Sequence, residues 1–367
     1  MSNAKTLILT ASDAKFLPAA CCQIMSASQW LPSGESADLR VICCDVSDAD
    51  VRDAYAFFDK HKVDAEIVEP DVDALGIKVL QSRWPRAAYL RLYLDRVFGD
   101  DYKRLIYFDA DTRVVAPLDG LLSAELRGHP AAAVHDYIYY VSGNIQPRRQ
   151  KIGLGRYAPY LQSGVMVFDW PKTLSMNILG KARGLIETSP DRFNSCPDQD
   201  ALNAALEDRW APLDPRWNMH ELYLMHGQKY RPYITHFTSA KPWSRYRQDI
   251  WQNAAQWYRE QLAGTAWEGF VEDQSFKDRL MRTAKHAKLS LPLHMRSFLG
   301  RRAPFILDLM GVSFRDQLLP WSPRGSGDVE LMVDALVAEA EGNRPNILPP
   351  EQVLPRATRY WEAFAPT

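Results

Sequence analysis

The chain contains no G-x-G-x-x-G and no P-loop pattern, so neither glycine-rich cradle for phosphate is available. It also lacks a long apolar run, and no segment approaches the ~18 residues needed to cross a bilayer. The opening Met1-Ser2-Asn3-Ala4-Lys5 has no signal-peptide core. Cysteine is scarce. Cys21, Cys22, Cys43, Cys44 and Cys196 form two adjacent pairs and a singleton, which fits neither a zinc pattern nor a disulfide framework. Reduced, mostly buried thiols in a cytoplasmic protein are the expectation. There is no internal repeat, and a formal net charge of -1 provides no global field for nucleic acid.

What is present is a substantial core. With 367 residues, 46% hydrophobic content and 11 Trp, the chain can form one large domain with an appendage, or two domains. The texture changes near residue 270, which suggests a domain over 1–270 and a basic, mainly helical extension over 271–367. From Ser275 to Arg302 eight Lys or Arg face a single Asp, so the remainder of the chain carries about -8. That stretch has two readings. One is a peripheral membrane-surface element on an anionic leaflet; the other is a solvated or dimer-forming helical face.

Strands and helices alternate along the first 270 residues. Thr6 to Thr10, Leu39 to Cys44, Ala65 to Val68, Leu105 to Phe108, Ala131 to Val134 and Gly164 to Phe168 read as short apolar strands. Phe16 to Gln29, Val51 to His61 and Arg86 to Phe98 have helical spacing, and a last helix is expected over Val329 to Glu341. This order predicts an α/β fold, a Rossmann-like sheet, mixed but mostly parallel, flanked by helices. Ligands of such sheets bind beyond the carboxyl ends of the strands.

One such end is acidic. The apolar run Leu105-Ile106-Tyr107-Phe108 stops at Asp109-Ala110-Asp111. Alternation along a strand would send both carboxylates to one side, where they repel each other unless a divalent cation intervenes. Oxygen ligands suit magnesium, manganese or calcium, and magnesium or manganese commonly bridges carboxylates to a substrate's phosphates. Two solvated acids in a turn are the alternative.

Several separated segments resemble one family. His236-Phe237-Thr238-Ser239-Ala240-Lys241-Pro242-Trp243 is similar to the H-x-x-G-x-x-K-P-W signature of glycosyltransferase family 8, although it is one residue shorter and lacks the glycine. Asp109-Ala110-Asp111 resembles that family's D-x-D, and Gln162-Ser163-Gly164-Val165 its N-[AS]-G-V, with Gln162 in place of Asn. Asp198-Gln199-Asp200-Ala201-Leu202-Asn203 resembles D-Q-D-x-L-N, and Arg216-Trp217-Asn218 an R-[WF]-N segment. Together they cover roughly residues 6 to 250.

The resemblance implies a GT-A fold and a retaining, metal-dependent transfer of a hexose, galactose or glucose, from a UDP-sugar to a glycan or glycolipid hydroxyl. It implies Mn2+ or Mg2+ held by Asp109, Asp111 and His236, with Lys241 reaching diphosphate oxygens. Ala11 and Asp13, in Thr10-Ala11-Ser12-Asp13, would receive the uracil, unless Asp13 instead caps the helix that follows. Arg91, in Tyr89-Leu90-Arg91-Leu92, would contact the donor or else pair with Asp95 one turn on. Ala110, Asp136 and Gln162 are further donor-binding candidates, Asp136 having a surface-loop alternative. Asp198 and Gln199 would face the transferred hexose, and Asp200 would serve as nucleophile only if it moves; Asp198 is also a plausible helix cap. Two other readings compete: a glycan-binding relative without catalysis, and a nucleotidyltransferase on a similar sheet.

Overall fold

The computed structural model describes residues 5–281 except 36, 78, 81–83, 137–144, 156–157, 194–195, 221–229, 239–240 and 248, together with 337, 338 and 341. Its strands are β1 (Lys5–Ser12), β2 (Ala37–Cys43), β3 (Ala65–Val68), β4 (Tyr102–Asp109), β5 (Thr112–Val114), β6 (Ala131–His135), β7 (Leu161–Asp169), β8 (Trp210–Pro212), β9 (Met219–His220) and β10 (Ile234–His236). Seven of them form one sheet in the order β3-β2-β1-β4-β7-β6-β8, and β5-β10-β9 form a second, small sheet.

The expected strands are present, each within a few residues, and the sheet is mixed and mostly parallel, as expected. β1, β2, β3 and β4 run parallel, whereas β7 runs antiparallel to both β4 and β6. This reversal matters for the site. It brings the first residues of β7 to the edge where β1, β4 and β6 end, so Gln162 and Gly164 lie beside the acidic terminus of β4.

Burial explains the helices. The helix α1 (Leu17–Gln29) is buried at every position from Leu17 to Ala27, as expected of a helix enclosed on all sides. α2 (Asp48–His61) is amphipathic and starts at a capping box, Ser47 with Asp50. Cys21, Cys22, Cys43 and Cys44 are free thiols buried in this core.

The stretch from Arg86 to Phe98, expected as one helix, is instead broken into helix Arg86–Leu90, a 3-10 turn Arg91–Tyr93 and helix Leu94–Val97. All three residues of the turn are buried. The Arg91 head group is held under β4 and β7, and that tertiary anchorage displaces the regular helical register.

Beyond the sheet, helix Gln252–Leu262 packs Tyr258 and Leu262 into the core. Phe276, Leu280 and Met281, at the start of the basic stretch, are exposed; residues 282–302 of that stretch lie outside the described residues. So does most of the helix expected over Val329 to Glu341. Of it, Val337 is buried in the core and Glu341 pairs with Arg216 at 3.0 Å. Among the described residues, no helix is long and apolar enough to cross a membrane.

Candidate active site

The site forms where the two sheets meet. β4 ends at Asp109, the chain turns through Ala110 and Asp111, and β5 begins at Thr112. Strict strand alternation therefore does not place the second acid, because Asp111 lies in the turn. The turn is tightened by the Thr112 hydroxyl, which donates to the Asp109 carbonyl at 2.8 Å. β10 runs antiparallel to β5 with His236 opposite Thr112, and the Phe237 N–H donates to the Asp111 carbonyl at 2.9 Å. This register delivers the imidazole to the acids. His236 Nε2 lies 3.3 Å from Asp111 Oδ1 and 3.7 Å from Asp109 Oδ2.

One ligand atom from each of Asp109, Asp111 and His236 falls within 4.8 Å of the others, a spacing that a single divalent ion can satisfy. Gly164 leaves the room. A Cβ built there would lie 2.3 Å from His236 Cε1 and 2.8 Å from Asp109 Oδ2. The residues fit a cation with mixed oxygen and nitrogen ligation.

Two cations of the chain flank the acids. Lys241 Nζ pairs with Asp111 Oδ2 and also donates to the Phe237 carbonyl at 2.6 Å. Burial alone would raise the Asp111 pKa, but Lys241 and His236 hold the carboxyl far below its usual range. Arg91 is the second cation. Its guanidinium reaches Asp109 Oδ1 at 2.5 Å, Asp198 Oδ2 at 2.9 Å and the Ser163 carbonyl and hydroxyl at 2.9 Å, and it stacks 4.7 Å from the Tyr107 ring centroid. Pairing of Arg91 with Asp95 does not occur. Asp95 is held by Arg183, whose Nη2 lies 2.8 Å away, because the 3-10 turn carries Arg91 inward.

The acid-rich helix Pro197–Leu206 begins one residue ahead of Asp198, with Cys196 at the cap, so Asp198 is not the capping residue. Asp198, Gln199 and Asp200 are all buried, and they point in different directions. Asp198 turns toward Arg91 and Asp109. Gln199 donates to Asp136 Oδ2 at 2.9 Å and accepts from the Ser163 N–H at 3.1 Å. Asp200 is withdrawn beneath them, accepting from Arg148 Nε at 2.6 Å and from the Tyr160 hydroxyl at 2.7 Å. Burial raises the pKa of both acids against the opposing pull of their arginines. Asp136 is buried too, with 4% exposure, which overturns the surface-loop reading.

At the nucleotide end Ala11 pairs in register with Asp109 across β1 and β4, and Ala110 is buried between the acids. Asp13 Oδ1 accepts the Phe16 N–H at 2.9 Å, which closes the turn ahead of α1, but the N-cap of α1 is Phe16 and Asp13 does not cap the helix itself. Gln162 Oε1 accepts from the Gly164 N–H at 2.6 Å and from Asn218 Nδ2 at 2.5 Å. Tyr107, Ser163, Tyr160 and Arg148 had no assigned role in the sequence. Tyr107 was within reach of strand alternation, being two residues before Asp109; Arg148 and Tyr160 carried no local signal.

The mixed sheet of this order, with the acid–imidazole cluster at its carboxyl edge, is a GT-A fold. The family model described as "Glycosyl transferase family 8" matches residues 7–247, and the chain belongs to that family. General stress protein A of Bacillus subtilis (strain 168) is 30% identical over 202 residues, 50% of this chain and 68% of that protein. The probable glycosyl transferase Gly of Streptococcus gordonii is 24% identical over 204 residues, which are 54% of this chain but 28% of that longer protein. The crystal structure of the galactosyltransferase LgtC with donor and acceptor sugar analogs superposes with a TM-score of 0.61 at 18% identity, covering 72% of this chain and all of LgtC.

Proposed function

We propose that the chain transfers a hexose from a UDP-sugar to a hydroxyl of a glycan or lipid-linked acceptor, with retention of configuration and dependence on Mn2+ or Mg2+. The observation that carries this reading is the convergence of Asp109 and Asp111 with His236, which lies more than a hundred residues from them in the sequence, within ligand distance of one ion. Asp109, Asp111 and His236 would hold a divalent cation, which when bound would supply positive charge for a departing diphosphate. The imidazole in the set leans towards manganese.

The chain's own residues do the rest. Lys241, next to Asp111, is in reach of the same phosphate oxygens as a point charge. Ala11 and Ala110 lack bulk at the strand ends, which leaves space for the nucleotide, and Asp13 keeps a second oxygen for a base N–H. Asp198, Gln199 and Asp136 form a connected wall of acceptors and an amide suited to sugar hydroxyls. Gln199 is uncharged and cannot attack as a carboxylate. Asp200 is sequestered by Arg148 and Tyr160, so this arrangement favours bonding of the acceptor oxygen to the anomeric carbon on the face from which the diphosphate departs, with the hydroxyl proton passing to the leaving phosphate, over a covalent intermediate on Asp200. The structurally similar protein named above is a galactosyltransferase, and galactose or glucose is the proposed sugar.

Family membership sets the nucleotidyltransferase reading aside. UDP release from UDP-galactose, UDP-glucose and UDP-GlcNAc with Mn2+ separates a transferase from a glycan-binding relative. Release from a UDP-hexose that stops on chelation is expected; no release from any donor with any acceptor would overturn the proposal.

A further inference from the structure

We infer that Gln162 and Asn218 are positioning residues that fix which nitrogen of His236 faces the metal site. The inference rests on the metal reading above. The one donor in the chain of contacts whose polarity is not open to choice is the backbone N–H of Gly164.

That N–H can only donate, and it does so to Gln162 Oε1 at 2.6 Å. The end of the Gln162 amide facing Gly164 is therefore its carbonyl oxygen. The same oxygen lies 2.5 Å from the Asn218 amide, so Asn218 must present its NH2 there. With that end committed, its carbonyl oxygen faces His236 Nδ1 at 2.8 Å. An acceptor at Nδ1 requires a proton on that nitrogen. The lone pair of the neutral ring is thus left on Nε2, the nitrogen that looks towards Asp109 and Asp111.

The inner end of the arrangement is nearly dry: His236 and Asn218 are 2% and 1% exposed, so water cannot readily substitute for the link between them, whereas Gln162 is half-buried. Gln162 is also where the sequence departs from the family pattern, which has Asn. Its longer side chain carries the carbonyl to a point shared by β7 and the Asn218 segment. The substitution thus serves ligand orientation on this chain. A liganding histidine is commonly oriented through its second nitrogen, and loss of such a partner typically weakens metal affinity about 10–100-fold.

The test uses Mn2+ alone, titrated into the full-length protein and counted by electron paramagnetic resonance, with spin-echo modulation reporting a bound imidazole nitrogen. Asn218→Leu and Gln162→Leu should weaken Mn2+ binding about 10–100-fold and reduce the nitrogen modulation. Their metal-free melting temperatures show whether they fold. Gln162→Glu offers acceptor oxygens to both Gly164 and Asn218, so it should keep the nitrogen modulation. Wild-type binding of Mn2+ with unchanged affinity and modulation in both Leu variants would overturn this inference while leaving the metal reading intact. Loss of the modulation in folded Gln162→Glu would overturn it as well. A wild-type protein that takes up no Mn2+ would remove the metal reading and this inference together.

Discussion

Gly164 and His236 approach so closely that a Cβ on the glycine would lie 2.3 Å from the imidazole Cε1. No positive backbone angle is involved. The glycine is needed because strand β7 passes directly against the acid–imidazole cluster.

Gly164→Ala is therefore expected to push His236 and Asp109 apart. Overpacking of this kind costs roughly 1–3 kcal/mol. The melting temperature should fall modestly while metal-dependent UDP release falls far more. A variant with wild-type release would show that the cluster tolerates the displacement.

Asp111→Asn keeps the shape of the side chain and removes its charge. Wild-type protein saturated with UDP-hexose and Mn2+ at about 100 times Kd should gain ~2.7 kcal/mol from linkage. In a thermal-shift experiment the variant should lose the metal-dependent part of that gain. Equal stabilisation of both proteins would count against a ligand role for Asp111.

Arg91 is a buried link between Asp109 and Asp198. Arg91→Met leaves two carboxylates in a site with little water, and breaking a buried pair in this way costs roughly 3–5 kcal/mol. Arg91→Lys restores the charge but cannot reach Asp109, Asp198 and Ser163 together. Urea unfolding should rank wild type above Lys above Met, and a Met variant as stable as wild type would contradict the linking role.

His135 provides a pH dependence with a definite sign. Burial, with the Arg149 guanidinium adding to it, lowers its pKa to about 4. The unfolded chain then takes up a proton near pH 6.5 while the folded chain does not. This contribution is complete above pH 6.5 and is lost as pH falls towards 4. Asp198 and Asp200 have raised values and act with the opposite sign, so the comparison must be with a variant. The stability difference between wild type and His135→Gln should shrink from pH 7.5 to pH 4.5; a constant difference would refute the assignment.

The thiols should sort by burial. Cys21, Cys22 and Cys43 are raised well above ordinary values and Cys44 to about 12, all chiefly by burial. Cys196 is the partly exposed one. At pH 7.5 a thiol reagent should modify Cys196 in the native protein and all five cysteines after denaturation. Rapid native labelling of the adjacent pairs would contradict the packing of α1 on β2.

The sequence alone determined six strands of the large sheet, each a short apolar run, but not β5, β8, β9 and β10, which are only two or three residues long and depend on their partners. It also determined the acid pair after Phe108, and the ordered set of motifs that carries the family resemblance. Tertiary structure decided the direction of β7, the break at Arg91, the burial of Asp136 and the withdrawal of Asp200 onto Arg148 and Tyr160. It also decided that His236 meets Asp109 and Asp111, through the register of β10 on β5. Local periodicity encodes which way a side chain faces along its own element. Partners more than a hundred residues away are chosen by strand register and packing, and no local pattern carries that information.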